Sequence, residues 1–182
     1  MSQTEKGAAT GTTLMIAAAA ALILFPALMA FSAFADLLTM TIPNRVSLAL
    51  IGFFAVFAAW AAMPLDSVLS HVACGAAVLV ATFLMFNRGW MGGGDAKLAS
   101  ATALWLGFEQ LADYALLASL AGGALTLAIL ALRRYEPRFV VDSPRLAHLC
   151  DATEGVPYGI ALAIAGIAVY PNSQLWTLLT AA

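Results

Sequence analysis

The sequence predicts an all-α, polytopic integral membrane protein with about six transmembrane helices, on three observations. First, 63% of the 182 residues are hydrophobic and only 10% are charged, where a soluble domain runs nearer half and a quarter. A globule of this size always leaves much of its surface in water and cannot hide so much apolar area. Second, the apolar residues fall into long runs separated by proline, glycine and asparagine, the usual breakers and turn formers. Third, the few basic residues sit beside these runs rather than within them. A formal charge of −2 argues against a nucleic-acid partner. Cys74 and Cys150 form no CxxC pair, so neither a zinc knuckle nor a disulfide framework is indicated. The length suits a single membrane-embedded domain over residues 1–182.

A spanning helix needs about 20 mostly apolar residues, and the candidate spans are 13–35, 46–63, 68–86, 96–108, 114–132 and 158–181. The first ends in Ala33-Phe34-Ala35, which resembles a signal-peptidase site. Its apolar stretch is longer than that of a signal peptide, and Glu5 cancels Lys6 ahead of it, so a retained helix is expected. Pro43-Asn44 separates the first span from the second, Pro64 the second from the third, and Gly92-Gly93-Gly94 precedes the fourth. The fourth span is short, reaching only about 20 Å at ~1.5 Å per residue, against a hydrocarbon core of ~30 Å. Either it runs on past Glu109, or it starts below the membrane surface in a cavity lined by other helices. Short, glycine-interrupted membrane segments point to functional sites, because irregular backbone survives there only where protein or water satisfies it. The polar stretch 133–157 precedes the last span.

Lysine and arginine placement sets the orientation. The loops after spans one, three and five hold Arg45, Arg88, Lys97, Arg133, Arg134, Arg138 and Arg145, whereas the opposite side holds only Lys6, with acidic Glu5, Asp66, Glu109 and Asp113. The odd-numbered loops, including 133–157, are therefore expected in the cytoplasm, with both termini in the periplasm of a bacterial inner membrane.

Two acids stand at helix ends on the expected cytoplasmic side: Asp36 closing the first span and Asp95 opening the fourth. A carboxylate at membrane depth is costly and usually faces a bundle interior with a partner. If the two spans pack together, the acids can share a proton, the arrangement aspartic proteolysis uses. Helix direction separates them, since Asp36 lies near a helix C-terminus and Asp95 at an N-terminus. That leaves Asp95 as the expected base. Gly92, Gly93 and Gly94 allow a tight turn and close approach of an extended peptide to the backbone. Taken singly, each signal has a plain reading, Gly-Gly-Gly-Asp as a helix cap and Asp36 as an interfacial residue.

Taken in order, Asp36, then Ile42-Pro43-Asn44, then Gly92, Gly94, Asp95, Lys97 and Leu98 resemble the type IV prepilin peptidase family of membrane aspartic proteases. Pro157-Tyr158-Gly159-Ile160-Ala161 looks like the short members that serve Tad/Flp-type pili. The resemblance implies that Asp36 and Asp95 are catalytic. The substrate it implies is a Flp-type pilin precursor, whose leader is removed at the cytoplasmic face. Gly92, Gly93, Gly94, Lys97, Pro43 and Asn44 are the expected supporting or substrate-binding residues. Three features depart from relatives. Basic residues often follow the first aspartate, where this chain has Leu38 and Met40. The N-terminal segment with paired cysteines found in bifunctional prepilin peptidases is absent, which implies no methyltransferase activity. The Tyr-Asp and Pro-Ala-Leu elements of presenilin-like proteases are missing too.

No metal, nucleotide or organic cofactor is indicated. His71 and Cys74 read as packing on one helix face, and His148 and Cys150 as incidental loop residues. Trp60, Trp90 and Trp176 read as interfacial anchors, and Gly122, Gly123, Gly159 and Gly166 as close-packing positions. Two other functions fit the same residues: a small transporter relaying ions through Asp36 and Asp95, and a non-catalytic pilus-assembly scaffold.

Overall fold

The computed structural model describes residues 3–144 and 146–180, with side chains except at residues 3–19, 21, 138 and 139. Arg145, counted above among the basic loop residues, lies outside the described residues, as do the side chains of Glu5 and Lys6. The helices are α1 Gln3–Thr39, α2 Asn44–Trp60, α3 Leu65–Asn87, α4 Gly93–Tyr135, α5 Arg138–Val141, α6 Tyr158–Val169 and α7 Gln174–Thr180. Two 3₁₀ turns, Ala147–Cys150 and Tyr170–Asn172, complete the regular structure, and there is no strand among the described residues. Leu22–Thr39, Leu65–Asn87 and Gly93–Tyr135 are long and apolar enough to cross a bilayer, while Asn44–Trp60 and Tyr158–Asn172 are shorter apolar helices.

The expected fourth and fifth spans form one helical run, broken only at Gly107 (φ 72, ψ 177). The polar residues Glu109 to Asp113 were expected in a loop but are helical. One residue with positive φ makes the turn instead, and glycine adopts that region without strain. Tyr114 lies against Thr102, so the outer arm, 108–135, folds back along the inner arm, 93–106. A Cβ at Gly107 would also meet His71 Nε2 at 2.8 Å. His71 caps the break: its Nδ1 lies 2.8 Å from the Leu104 carbonyl. A carbonyl only accepts, so Nδ1 carries the proton and satisfies one of the orphan oxygens left by the interrupted helix.

The inner arm is short because it does not meet lipid. It packs against α2, α3 and α6, and Ala96, Leu98, Ala101, Thr102, Ala103 and Trp105 are all buried. A helix apolar all round belongs in an interior. Trp105 is fully buried among Phe25, Phe54, Phe57 and Tyr170, with ring centroids 5.0, 6.2, 6.0 and 5.8 Å away. Its indole N–H donates to the Leu50 carbonyl at 2.9 Å. Truncating such a residue to alanine costs about 3–5 kcal/mol. The outer surface is the reverse of a soluble protein's. Ile23, Phe34, Leu48, Val80, Leu120 and Leu127 are all more than 60% exposed, which places lipid around the helices. The last expected span is also interrupted. Pro171 sits in the turn between α6 and α7, where its missing N–H prevents a continuous helix.

Candidate active site

α1 continues one turn past Asp36 and closes at Met40, a left-handed residue (φ 51) of the kind that commonly ends helices. The Thr39 hydroxyl donates to the Ala35 carbonyl at 2.8 Å, bracing that last turn. Ile42 then turns inward and is buried, while Pro43 (φ −62, ψ 133) precedes the first residue of α2. Ile42 is a wedge between two later helix starts. A Cβ added at Gly94 would come 3.2 Å from Ile42 Cβ, and one at Gly159 would come 2.9 Å from Ile42 Cδ1. The absence of side chains at these glycines lets the beginnings of α4 and α6 close on the α1–α2 connection.

This closure brings the two acids together. Asp36 is only 5% exposed, and its Oδ2 accepts the Gly159 N–H at 2.7 Å. Asp95 is half-buried, receives the Gly92 N–H, and lies close enough to Asp36 to interact electrostatically with it. Both line a cavity of about 290 Å³ whose walls include Met40, Thr41, Asn44 and Gly92 to Gly94. A second cavity, of about 490 Å³, also reaches Asp95 and is walled by Met85, Trp90, Met91, Val156 and Tyr158. Arg88 lies 5.4 Å over the Trp90 ring. Paired carboxyls beside open space can divide acid and base roles around a water molecule, with an apolar trough adjoining.

Of the supporting residues expected from sequence, Gly92, Gly93, Gly94 and Asn44 line the acid cavity. Pro43 is the residue before α2 and lies between the cavity residues Ile42 and Asn44 in the chain. Lys97 is placed elsewhere: its ammonium donates to Asn44 Oδ1 at 2.8 Å, and it faces a separate hollow with Ser47, Leu48 and Ser100. The glycine run is not an extended strand, because Gly93 and Gly94 already belong to α4 and only Gly92 (φ −69, ψ 145) is extended. The expected asymmetry of the acids also changes. Asp36 lies in the last turn of α1 but simultaneously accepts the N–H of Gly159, the second residue of α6. Helix direction therefore no longer separates the two acids, since each meets the N-terminal end of a helix.

The sequence offers Gly159 as a packing position and as part of the Pro157–Ala161 motif; it is also the hydrogen-bond donor to Asp36. The Pro-Tyr-Gly pattern before it was the available signal. Gly122 and Gly166 do sit at close approaches, with an added Cβ meeting Tyr158 at 2.6 Å and Thr102 at 3.1 Å, whereas Gly123 has open space. His71 and Cys74 are buried in α3, which packs on α4. The sequence gives no role to His148, yet its Nε2 lies 3.1 Å from the Leu37 carbonyl.

A family model, that of the type IV leader peptidase family, matches residues 13–127, more than half of the chain. The chain belongs to the type IV leader peptidase family. No curated protein and no solved structure matches it. The matched region of this leader peptidase homologue holds both acids, the Ile42-Pro43-Asn44 turn and the glycine run, all the residues around the 290 Å³ cavity. Gly159, which completes the seat of Asp36, lies beyond it in α6.

Proposed function

We propose that this membrane protein is an aspartic endopeptidase that removes the leader from a pilin precursor at the cytoplasmic face of a bacterial inner membrane. The reading includes the short Tad/Flp type and a Flp-type prepilin as substrate. The observation that carries it is the shared cavity, where Asp36 from the end of α1 and Asp95 from the start of α4 face the same space. One carboxylate takes a proton from water as the water oxygen adds to the scissile carbonyl carbon, and the other, protonated, hydrogen-bonds the carbonyl oxygen. Collapse of the tetrahedral species breaks the C–N bond, and the departing nitrogen takes up the proton. Asn44 and the glycine run form the walls against which the substrate backbone lies, and the trough at Met85, Trp90 and Val156 receives its apolar side chains.

Charge supports the cytoplasmic assignment. Arg88, Lys97 and Arg133 stand at the same end as the two acids, where they contact Trp90, Asn44 and the segment before α6. Asp66, Glu109 and Gln174 gather at the far end around a cavity of about 270 Å³. The whole chain then works as one membrane-embedded domain, with residues 133–157 as a cytoplasmic loop.

A purified preparation incubated with a precursor peptide spanning leader and apolar segment tests the proposal, with products read by mass. Asp36→Asn and Asp95→Asn each insert and accumulate but remove no leader, whereas Asp66→Asn cleaves normally. Near-normal cleavage by either of the first two overturns the pair. For topology, Ser2→Cys and Ala182→Cys, in a background lacking Cys74 and Cys150, are expected to react with impermeant thiol reagents from the periplasm. The opposite labelling removes the cytoplasmic leader from reach of the acids.

A further inference from the structure

The segment between α4 and α6 buries Val140, Leu149 and Pro157, and its last residues wall the cavity at Asp95 and lead directly into Gly159. Gly155 and Val156 wall the 490 Å³ cavity at Asp95, and Gly159 donates to Asp36. One side chain of α4 holds the backbone of this segment at three points. Arg133, in the last turn of α4, donates from Nε to the Leu149 carbonyl at 3.0 Å. Its Nη2 donates to the carbonyls of Glu154 and Gly155, both at 2.9 Å. Asp151 faces the same guanidinium, its carboxyl held below the usual carboxylate range by the Thr153 backbone N–H and hydroxyl, with Arg133 assisting. A second tie runs to α1, where His148 donates to the carbonyl of Leu37, the residue after Asp36.

A cytoplasmic arginine serving only as a topological charge has no reason to spend three donors on loop carbonyls. Arg134, next along the helix, is exposed and supplies the same charge. Three bonds from two nitrogens of one planar fork need an arginine; a lysine is a point charge on a flexible stem and cannot reproduce them. Beyond the fork, the chain has little freedom before it reaches the acids. Pro157 is buried and fully enclosed, and the Tyr158 N–H turns back onto the Val156 carbonyl at 2.8 Å.

We infer that Arg133 is a positioning residue of the active site. Its guanidinium holds the carbonyls of Leu149, Glu154 and Gly155, and so fixes the wall at Asp95 and the Gly159 N–H at Asp36. This inference rests on the reading of Asp36 and Asp95 as the catalytic pair.

Leader-removal kinetics and amide hydrogen exchange on the purified full chain, for wild type, Arg133→Ala, Arg133→Lys and Arg134→Ala, test it. Arg133→Ala is expected to lose kcat by up to about 10²-fold, the scale of a displaced catalytic geometry, with a smaller change in KM. Amides of residues 147–159 exchange faster in the same variant. Arg134→Ala, which removes an equal charge, keeps wild-type kcat and exchange. Arg133→Lys keeps the charge, accumulates normally and still loses most of kcat, so it decides the matter if the alanine variant fails to insert. Wild-type kcat in Arg133→Lys, an equal loss in Arg134→Ala, or unchanged exchange in residues 147–159 overturns the inference. A wild-type protein that removes no leader while its Arg133 variants show faster exchange instead refutes the peptidase reading and leaves the clasp standing.

Discussion

The two acids occupy seats of different origin. Asp95 rests in a local one: its donor is the Gly92 N–H three residues earlier, and its helix begins two residues before it. Asp36 rests in a remote one, with a donor 123 residues downstream and a wedge, Ile42, trapped between α4 and α6. Asp95 is half-buried and open to two cavities, whereas Asp36 is buried and borders only one of them. A local seat forms with the helix start that carries it. A remote seat exists only when α1, α4 and α6 are docked. The pair is therefore assembled by folding, and Asp36 is the member that senses errors in helix packing.

The comparison breaks most sharply at the glycines under each acid. A Cβ at Gly159 would stand 2.8 Å from Asp36 Oδ2 and 2.9 Å from Ile42 Cδ1, and both of these residues are buried. Gly159→Ala is therefore expected to displace the buried carboxyl and reduce leader removal by about 10²-fold, as misplacement at a reacting centre does. At Gly92 the backbone suits any residue, and an added Cβ meets only the Asp95 carboxyl, at 3.0 Å. Asp95 has cavity beside it, so Gly92→Ala is expected to cost a few-fold. Side-by-side cleavage rates at matched protein levels decide. Equal losses in the two variants would show that the seats are equally rigid.

The same contrast explains what the sequence made legible. Asp95 with its glycines and lysine is a local string, so its helix start was readable from residues 92–98 alone. The six apolar runs were equally plain, because hydropathy is a property of a segment. Hydropathy does not tell lipid from protein, however. The inner and outer arms of α4 look alike in composition, yet Leu98 and Trp105 are enclosed while Leu120 and Leu127 face outward. The turn at Gly107 was hidden because Glu109 to Asp113 looked like a polar loop and are helical. Gly159's donation to Asp36 joins segments 123 residues apart, and the acceptors of Arg133 are backbone carbonyls, which leave no residue signature in the sequence.

A substitution far from both acids separates stability from chemistry. Gly107 lies at the opposite end of the inner arm from Asp95, with positive φ and His71 Nε2 against it. Gly107→Ala is expected to destabilise the protein by about 1–3 kcal/mol from the positive-φ, extended backbone alone, with more from the displaced imidazole. The thermal midpoint in detergent falls, while activity per folded molecule stays near wild type. A selective loss of activity without loss of stability would show that the inner arm transmits strain along its length to Asp95.

The smallest effect is expected at Lys97, the supporting residue two positions after Asp95. Residues two apart on a helix do not face one another, and the Lys97 ammonium accordingly points to Asn44 rather than into the acid cavity. Both partners are exposed, so their hydrogen bond is worth no more than about 1 kcal/mol, roughly a factor of five in any equilibrium it supports. Lys97→Met and Asn44→Ala should each lower leader removal at most about fivefold. If Lys97 acts only through Asn44, the double variant is no worse than the more severe single one, because one bond cannot be lost twice. A multiplied loss in the double variant would assign Lys97 a contact of its own with the precursor, made when the substrate fills the hollow beside Ser47 and Ser100.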